Sequence, residues 1–141
     1  MGYELDTFAL RSLRASKRLT QQQLSELIGV AEGRVSTWER GQSTPHPHQF
    51  RALSAALGVS IGSLLRPVDT HQRDLCRLRI EAGLSVKELA ERVGVPVQTL
   101  KRWENGRVRN LQDRAPVREI AHVLAVEVKL VREALARSSR R

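Results

Sequence analysis

Four histidines and one cysteine are the side chains in this sequence most able to bind a metal ion or attack a substrate. Only His46 and His48 lie close together, and no cysteine or carboxylate follows them at zinc-ligand spacing; His71 and His122 are isolated. The thiol of Cys76 would need a neighbouring base to act as a nucleophile, and no such pattern surrounds it. We therefore predict no metal site, no cofactor, no small-molecule ligand and no catalytic residue.

Two tryptophans could stack on nucleic-acid bases if they were exposed. Trp38 follows Val35 by three residues, and Trp103 follows Leu100 by three residues. This spacing places each pair on one face of a helix, together with other apolar residues. We therefore predict that both indoles belong to the hydrophobic core.

Both tryptophans lie in an internal repeat that spans residues 10–41 and 75–106 without a gap (75 − 10 = 65 and 106 − 41 = 65). Each copy reads Leu-x-x-Leu-Arg, then Leu-Thr or Leu-Ser, then Gly-Val, and ends in Trp-Glu-x-Gly. Self-similarity at a fixed period indicates one structural unit built twice. We expect domains at 1–67 and 68–141.

The apolar spacing in each copy predicts five short helices and no strand, which makes the fold all-α. A capping box, in which Thr20 with Gln23 or Ser85 with Glu88 satisfies free backbone N–H groups, opens the second helix of each copy. In the second copy, Pro96 is expected at the first position of the third helix, and 137–141 as a frayed basic tail. In the first copy, helices are expected at about 6–16, 20–28, 31–40, 47–57 and 61–65.

The net charge of +9 favours a polyanionic partner, because it raises the local concentration of such a partner and attracts it toward the protein before they bind. Residues 1–67 contribute +3 (8 − 5) and residues 68–141 contribute +6 (16 − 10), so the second copy should attract phosphates more strongly. No run is long and apolar enough to cross a membrane, and a single cysteine without a leader-like segment favours a cytoplasmic protein.

The two Gly-Val turns, each followed by Trp-Glu-x-Gly, resemble the helix-turn-helix domain of the Cro and phage-repressor family, also called the xenobiotic-response-element family. The resemblance covers nearly the whole chain as two tandem domains. It implies a lambda-repressor-like fold in each copy, double-stranded DNA as the partner, no enzymatic activity and a location at the nucleoid.

In this family the third helix enters the DNA major groove and its first half meets base edges. If Val35 and Trp38 face inward, the base-reading side chains of the two copies follow from helical geometry. They are Glu32, Gly33, Arg34, Ser36 and Thr37 in the first copy, and Val97, Gln98, Thr99, Lys101 and Arg102 in the second.

The two sets of base-reading residues differ in chemistry. Gln98 can bond to adenine, Lys101 and Arg102 suit guanine or phosphate, and Val97 could meet a thymine methyl. The first copy offers Glu32, which can accept from cytosine, beside a glycine. We expect the second copy to bind more strongly and the whole chain to recognise a composite, non-palindromic site.

Phosphate contacts are also implied by the resemblance. Family members place a glutamine like Gln21 against a phosphate, but the second copy has Val86 there, so Lys87 is the nearest substitute. The remaining phosphate-binding candidates flank the third helices and are Arg40, Asn105, Arg107 and Arg109.

Two structural ion pairs complete what the resemblance implies. Family members pair the glutamate of Trp-Glu-x-Gly with an arginine on the first helix. Here the pairs would be Arg14 with Glu39 and Arg79 with Glu104, and we expect them to stabilise the units rather than to catalyse a reaction.

The sequence therefore predicts a transcription regulator, expected to be a repressor, that acts by occupying an operator. The alternative is a protein-interaction module, such as an antitoxin or a coactivator bridge, because one fold can serve several functions. Joint binding of both domains to one DNA face, where major-groove entries repeat about every 34–36 Å, and homodimerisation are both left open.

Overall fold

The computed structural model describes residues 3–69 and 72–139. The chain divides into two compact units, Tyr3–Pro67 and the described residues from Val68 onward. Within the described residues every regular element is helical, apart from an isolated antiparallel bridge between Leu5 and Leu65, so the all-α prediction is confirmed. None of these helices combines the length and hydropathy needed to cross a membrane.

The first unit begins its helices at polar caps. The Asp6 carboxylate accepts the Ala9 N–H at 3.0 Å, and Thr20 with Gln23 forms the predicted capping box. Gly29 ends the second helix in the left-handed region at φ +72°, where a glycine avoids the strain of a Cβ. The elements are α1 (Thr7–Ser16), α2 (Gln21–Ile28), α3 (Arg34–Glu39), α4 (Pro47–Leu57) and a 3-10 helix (Ile61–Leu64).

The second unit repeats this plan and adds one helix that the sequence did not predict. The additional helix, α8 (Leu111–Arg114), lies in the lengthened loop before the fourth helix of the repeat, and its Leu111 is fully buried. Its helices are α5 (Leu75–Glu81), α6 (Val86–Val93), α7 (Val97–Glu104), α8 (Leu111–Arg114), α9 (Val117–Leu124) and α10 (Val128–Ser138).

Each unit has its own apolar core beneath its third helix. Trp38 is 1% exposed and Trp103 is 9% exposed, so the prediction that both indoles are core residues is confirmed. In the first unit α3 packs on α1 and α2, and in the second α7 packs on α5 and α6. Burying each large apolar side chain contributes about 1.5–3 kcal/mol, which holds the third helix of each unit on its neighbours.

The third helices begin at different points of the repeat, which corrects the prediction for the first unit. α3 begins at Arg34, not at residue 31, whereas α7 begins at Val97, which corresponds to residue 32 (97 − 65 = 32). Gly33 precedes α3 at φ +87°, a left-handed conformation that glycine adopts without a Cβ clash. Glu32 and Gly33 therefore lie in the turn, and their predicted place on the helix face is wrong.

Two smaller predictions about the second unit are also wrong. Pro96 is the N-cap of α7 rather than its first helical residue. Residues 137–139 are not frayed, because α10 continues to Ser138 and Arg137 Nη1 donates to the Arg73 carbonyl oxygen at 2.8 Å. The remaining tail arginines, Arg140 and Arg141, lie outside the described residues.

Candidate nucleic-acid interface

An arginine–glutamate pair joins the first helix of the first unit to the end of α3, with Arg14 half-buried and Glu39 buried. Arg14 Nε lies 2.6 Å from Glu39 Oε2, and Arg14 Nη2 lies 3.0 Å from Glu39 Oε1. The third guanidinium nitrogen, Nη1, donates to the Leu19 carbonyl oxygen at 2.8 Å. One guanidinium therefore links α1, the turn before α2 and the carboxyl end of α3.

The second unit contains the same arrangement 65 residues later. Arg79 Nε lies 2.7 Å from Glu104 Oε2, and Arg79 Nη2 lies 2.9 Å from Glu104 Oε1. Arg79 Nη1 donates to the Leu84 carbonyl oxygen at 2.9 Å. We call this three-way contact the clamp of each unit.

The clamp of the first unit has two further donors. Gln21 Nε2 donates to Glu39 Oε1 at 3.1 Å, and Arg11 Nε lies 3.6 Å from the same oxygen. Burial by itself raises the pKa of the Glu39 carboxyl, but the hydrogen bonds from Arg14 and Gln21 and the charges of Arg14 and Arg11 lower it, and the net pKa lies below the ordinary value. Glu39 is therefore a buried carboxylate that stays ionised.

The outward face of α7 consists of long polar side chains. Gln98, Lys101 and Arg102 are exposed, whereas Val97 and Thr99 are half-buried. Since the helix already begins at Val97, its first turn carries both Val97 and Gln98. The structure thus brings the predicted residues of the second unit together on the surface of one helix.

The corresponding helix of the first unit, α3, is shorter than α7, and side chains on and next to it bond to backbone carbonyl groups of the same segment. Thr37 Oγ1 donates to the Gly33 carbonyl oxygen at 2.8 Å, and Arg40 Nε donates to the Ser36 carbonyl oxygen at 3.3 Å. Of the predicted base readers on α3 itself, only Arg34 is exposed; Ser36 and Thr37 are half-buried.

The phosphate candidates lie at the edges of these faces. Lys87 is exposed in the first turn of α6, and Asn105 is the exposed C-cap of α7. Arg107 and Arg109 are exposed in the loop that follows α7. Gln21 is the first residue of α2 and is half-buried by its contact with Glu39.

An arginine-rich network at α5 was not predicted from the sequence. Glu81 accepts from Arg77 Nε at 2.7 Å and from Arg73 Nη2 at 2.6 Å, and Arg77 is only 5% exposed. The four-residue spacing of Arg77 and Glu81 on a helix is a signal that could have revealed it. This network accounts for two of the sixteen Lys and Arg residues of the second half, so part of that charge is internally paired.

No metal centre forms among residues 3–69 and 72–139. These residues contain no group of three His, Cys, Asp or Glu side chains that could hold an ion. The rings of His46 and His48 stack on one another, with centroids 5.8 Å apart. His71 lies outside the described residues.

In each unit a short glycine-containing turn joins two helices, α2 to α3 and α6 to α7, which is the helix-turn-helix architecture. The apolar core and the clamp hold the second helix of each pair in place. A family model described as helix-turn-helix matches the chain twice, at residues 10–64 and 77–130. The chain belongs to this family, in its Cro/C1 type.

One curated relative is the "HTH-type transcriptional activator BcrR" of Enterococcus faecalis. It is 38% identical to this chain over 56 residues, which are 40% of this chain and 28% of the relative. The matched part thus spans little more than a quarter of that protein. No solved structure matches the chain significantly.

We predict that Arg79→Leu destabilises the second unit by about 3–5 kcal/mol, because it leaves the Glu104 carboxylate, on a side chain only 9% exposed, without its partner. Each unit has one tryptophan, so urea unfolding followed by Trp103 fluorescence in a Trp38→Phe background reports on this unit alone. Arg132→Leu, which removes an exposed arginine from α10, is the control and should change the free energy of unfolding by under about 0.5 kcal/mol. Equal effects of the two variants would contradict a structural clamp.

We also predict that the stability of the first unit depends on pH through Glu39. Its pKa is lower in the folded than in the unfolded chain, so its stabilising effect is fully present above the ordinary value of 4.5 and is lost as the pH falls through the lower folded value. Unfolding followed by Trp38 fluorescence in a Trp103→Phe background should show this loss, and Glu39→Gln should reduce it. The exposed Glu26→Gln is the control; a parent-like pH profile for Glu39→Gln would refute the assignment.

Proposed function

We propose that this chain is a sequence-specific, double-stranded DNA-binding transcription regulator that uses α3 and α7 as recognition helices. Helices in this position of the helix-turn-helix enter the major groove, which is about 12 Å wide and admits one helix. Membership of the Cro/C1-type family supports this function. The name of the curated relative, a transcriptional activator, agrees with a regulatory role.

The strongest support for this function is the exposed polar face of α7. Gln98 can bond to both N6 and N7 of adenine, and Arg102 or Lys101 can bond to O6 and N7 of guanine. The clamp between Arg79 and Glu104 holds the carboxyl end of this helix against the unit, so the face is presented on a fixed support. We therefore assign the main sequence readout to the second unit.

The first unit is proposed to contribute weaker readout and phosphate contacts. Arg34 can reach a base edge from the first turn of α3, while Glu32 and Gly33 approach the groove only from the preceding turn; Ser36 and Thr37 are secondary base-reading candidates. Gln21 donates one amide hydrogen to Glu39 and has a second one for a phosphate. The clamp thereby orients a DNA-facing side chain in this unit.

Exposed cations around the recognition helices complete the proposed interface. They would neutralise phosphates and release counterions, which makes binding fall steeply with salt. In the second unit Val97 and Thr99 are further base-reading candidates beside Gln98, Lys101 and Arg102. The proposed phosphate contacts besides Gln21 are Arg40, Lys87, Asn105, Arg107 and Arg109.

The protein is proposed to regulate transcription by occupying its DNA operator. Because the two recognition helices differ, one chain would cover a composite, non-palindromic operator at the nucleoid and exclude polymerase, and repression is the simplest result. The rival function, a protein-interaction module, predicts instead that no duplex sequence is preferred.

We predict that selection from a random duplex pool enriches one sequence, and that Gln98→Ala or Arg102→Ala then relaxes the preference at one base pair by about 1–3 kcal/mol. The measurement is the dissociation constant for the selected duplex and for its single-base variants. Arg132→Ala, a matched loss of one exposed arginine on α10, should leave the preference unchanged. If no sequence is enriched, the protein-interaction function gains; if both variants keep the parental preference, the assignment of α7 residues is wrong.

A further inference from the structure

The loop between α7 and α8 presents two arginines in a regular alternation. Arg107 and Arg109 are exposed, and Val108 between them is half-buried against the core of the second unit. The corresponding residues of the first unit, Gln42 and Thr44, are neutral (107 − 65 = 42 and 109 − 65 = 44). The shared scaffold therefore does not require charge at these positions.

Ser139, immediately after α10, fastens this loop. Its hydroxyl donates to the Val108 carbonyl oxygen at 3.1 Å and accepts the Leu111 N–H at 3.2 Å. Leu111 is fully buried beneath the loop, and Val108 is the residue between the two arginines. One hydroxyl thus ties the backbone at the centre and at the end of the loop to the last helix of the unit.

The beginning of the loop is also held against α10. A Cβ placed on Gly106 would lie 3.2 Å from the Ser138 carbonyl oxygen, so this glycine allows close approach of the two backbones. The neighbouring hydroxyl, on Ser138, serves a different element, because it accepts the Leu75 N–H at the start of α5. The two adjacent serines therefore have different partners: Ser139 bonds to the loop that carries Arg107 and Arg109, and Ser138 accepts a free N–H at the start of α5.

We propose that Ser139 is a positioning residue for DNA binding by the second unit, holding Arg107 and Arg109 where they meet phosphates. This inference rests on the proposed function. A loop ordered in advance loses less conformational freedom when it binds, so fixing its backbone strengthens phosphate contacts without touching the DNA. The carboxyl end of α10 becomes part of the binding apparatus of its unit.

The test compares Ser139→Ala, Ser139→Thr and Ser138→Ala in the full chain, using the salt dependence of binding to the selected duplex. Each phosphate contact contributes about 0.9 to the slope of log K against log salt. Ser139→Ala should lower the slope by about one and weaken binding about tenfold at about 0.1 M salt. Ser139→Thr keeps the hydroxyl and should restore both, whereas Ser138→Ala should lower the melting temperature and leave the slope unchanged.

Arg107→Ala and Arg109→Ala are the reference variants for the loss of one phosphate contact, because each should lower the slope directly by about one. If they lower it and Ser139→Ala does not, the positioning role is overturned while DNA binding by the loop stands. A slope that falls equally in Ser139→Ala and Ser138→Ala would also overturn it, since general loosening of the unit would explain both. A parent chain that binds no duplex would instead overturn the proposed function itself.

Discussion

A carboxylate at the end of the third helix, on a side chain that is 1% exposed in Glu39 and 9% exposed in Glu104, constrains each unit. It cannot remain charged in the interior without donors, and a single arginine supplies two of them while donating a third hydrogen to the turn before the second helix. Each of these three arginine distances differs by 0.1 Å between the two units: 2.6 and 2.7 Å, 3.0 and 2.9 Å, and 2.8 and 2.9 Å. The position of the third helix against the first two, and so the face it presents, depends on this contact together with the apolar core.

The two units share the clamp and the apolar core that hold the third helix, but they differ in the exposed residues of that helix. Gly33 shortens α3 at its start, and Thr37 and Arg40 bond to backbone carbonyls of the same segment. In the second unit α7 begins two residues earlier in the repeat and carries Gln98, Lys101 and Arg102 outward. If the proposed function is correct, both copies of the repeat hold a recognition helix in the same way, but the two helices recognise different DNA sequences.

The sequence predicted features that depend on local pattern or on the repeat. Both capping boxes, both buried tryptophans and the all-helical architecture follow from spacing over a few residues, and the structure contains them. The start of α3 was missed because a left-handed glycine and a mid-helix glycine look alike in sequence. The short helix α8 and the packed Ser138 and Ser139 depend on contacts with residues far along the chain, such as Leu75, which no local pattern reveals.

The base-reading assignments rest on which helix face meets the DNA. Backbone amide chemical shifts of the full chain, recorded by NMR with and without the selected duplex, test this most directly. The proposed role of α7 as the main recognition helix predicts that the largest changes fall on the first half of α7 and on the loop after it, with smaller ones at the start of α3. Large changes confined to other faces, with α7 unperturbed, would contradict it.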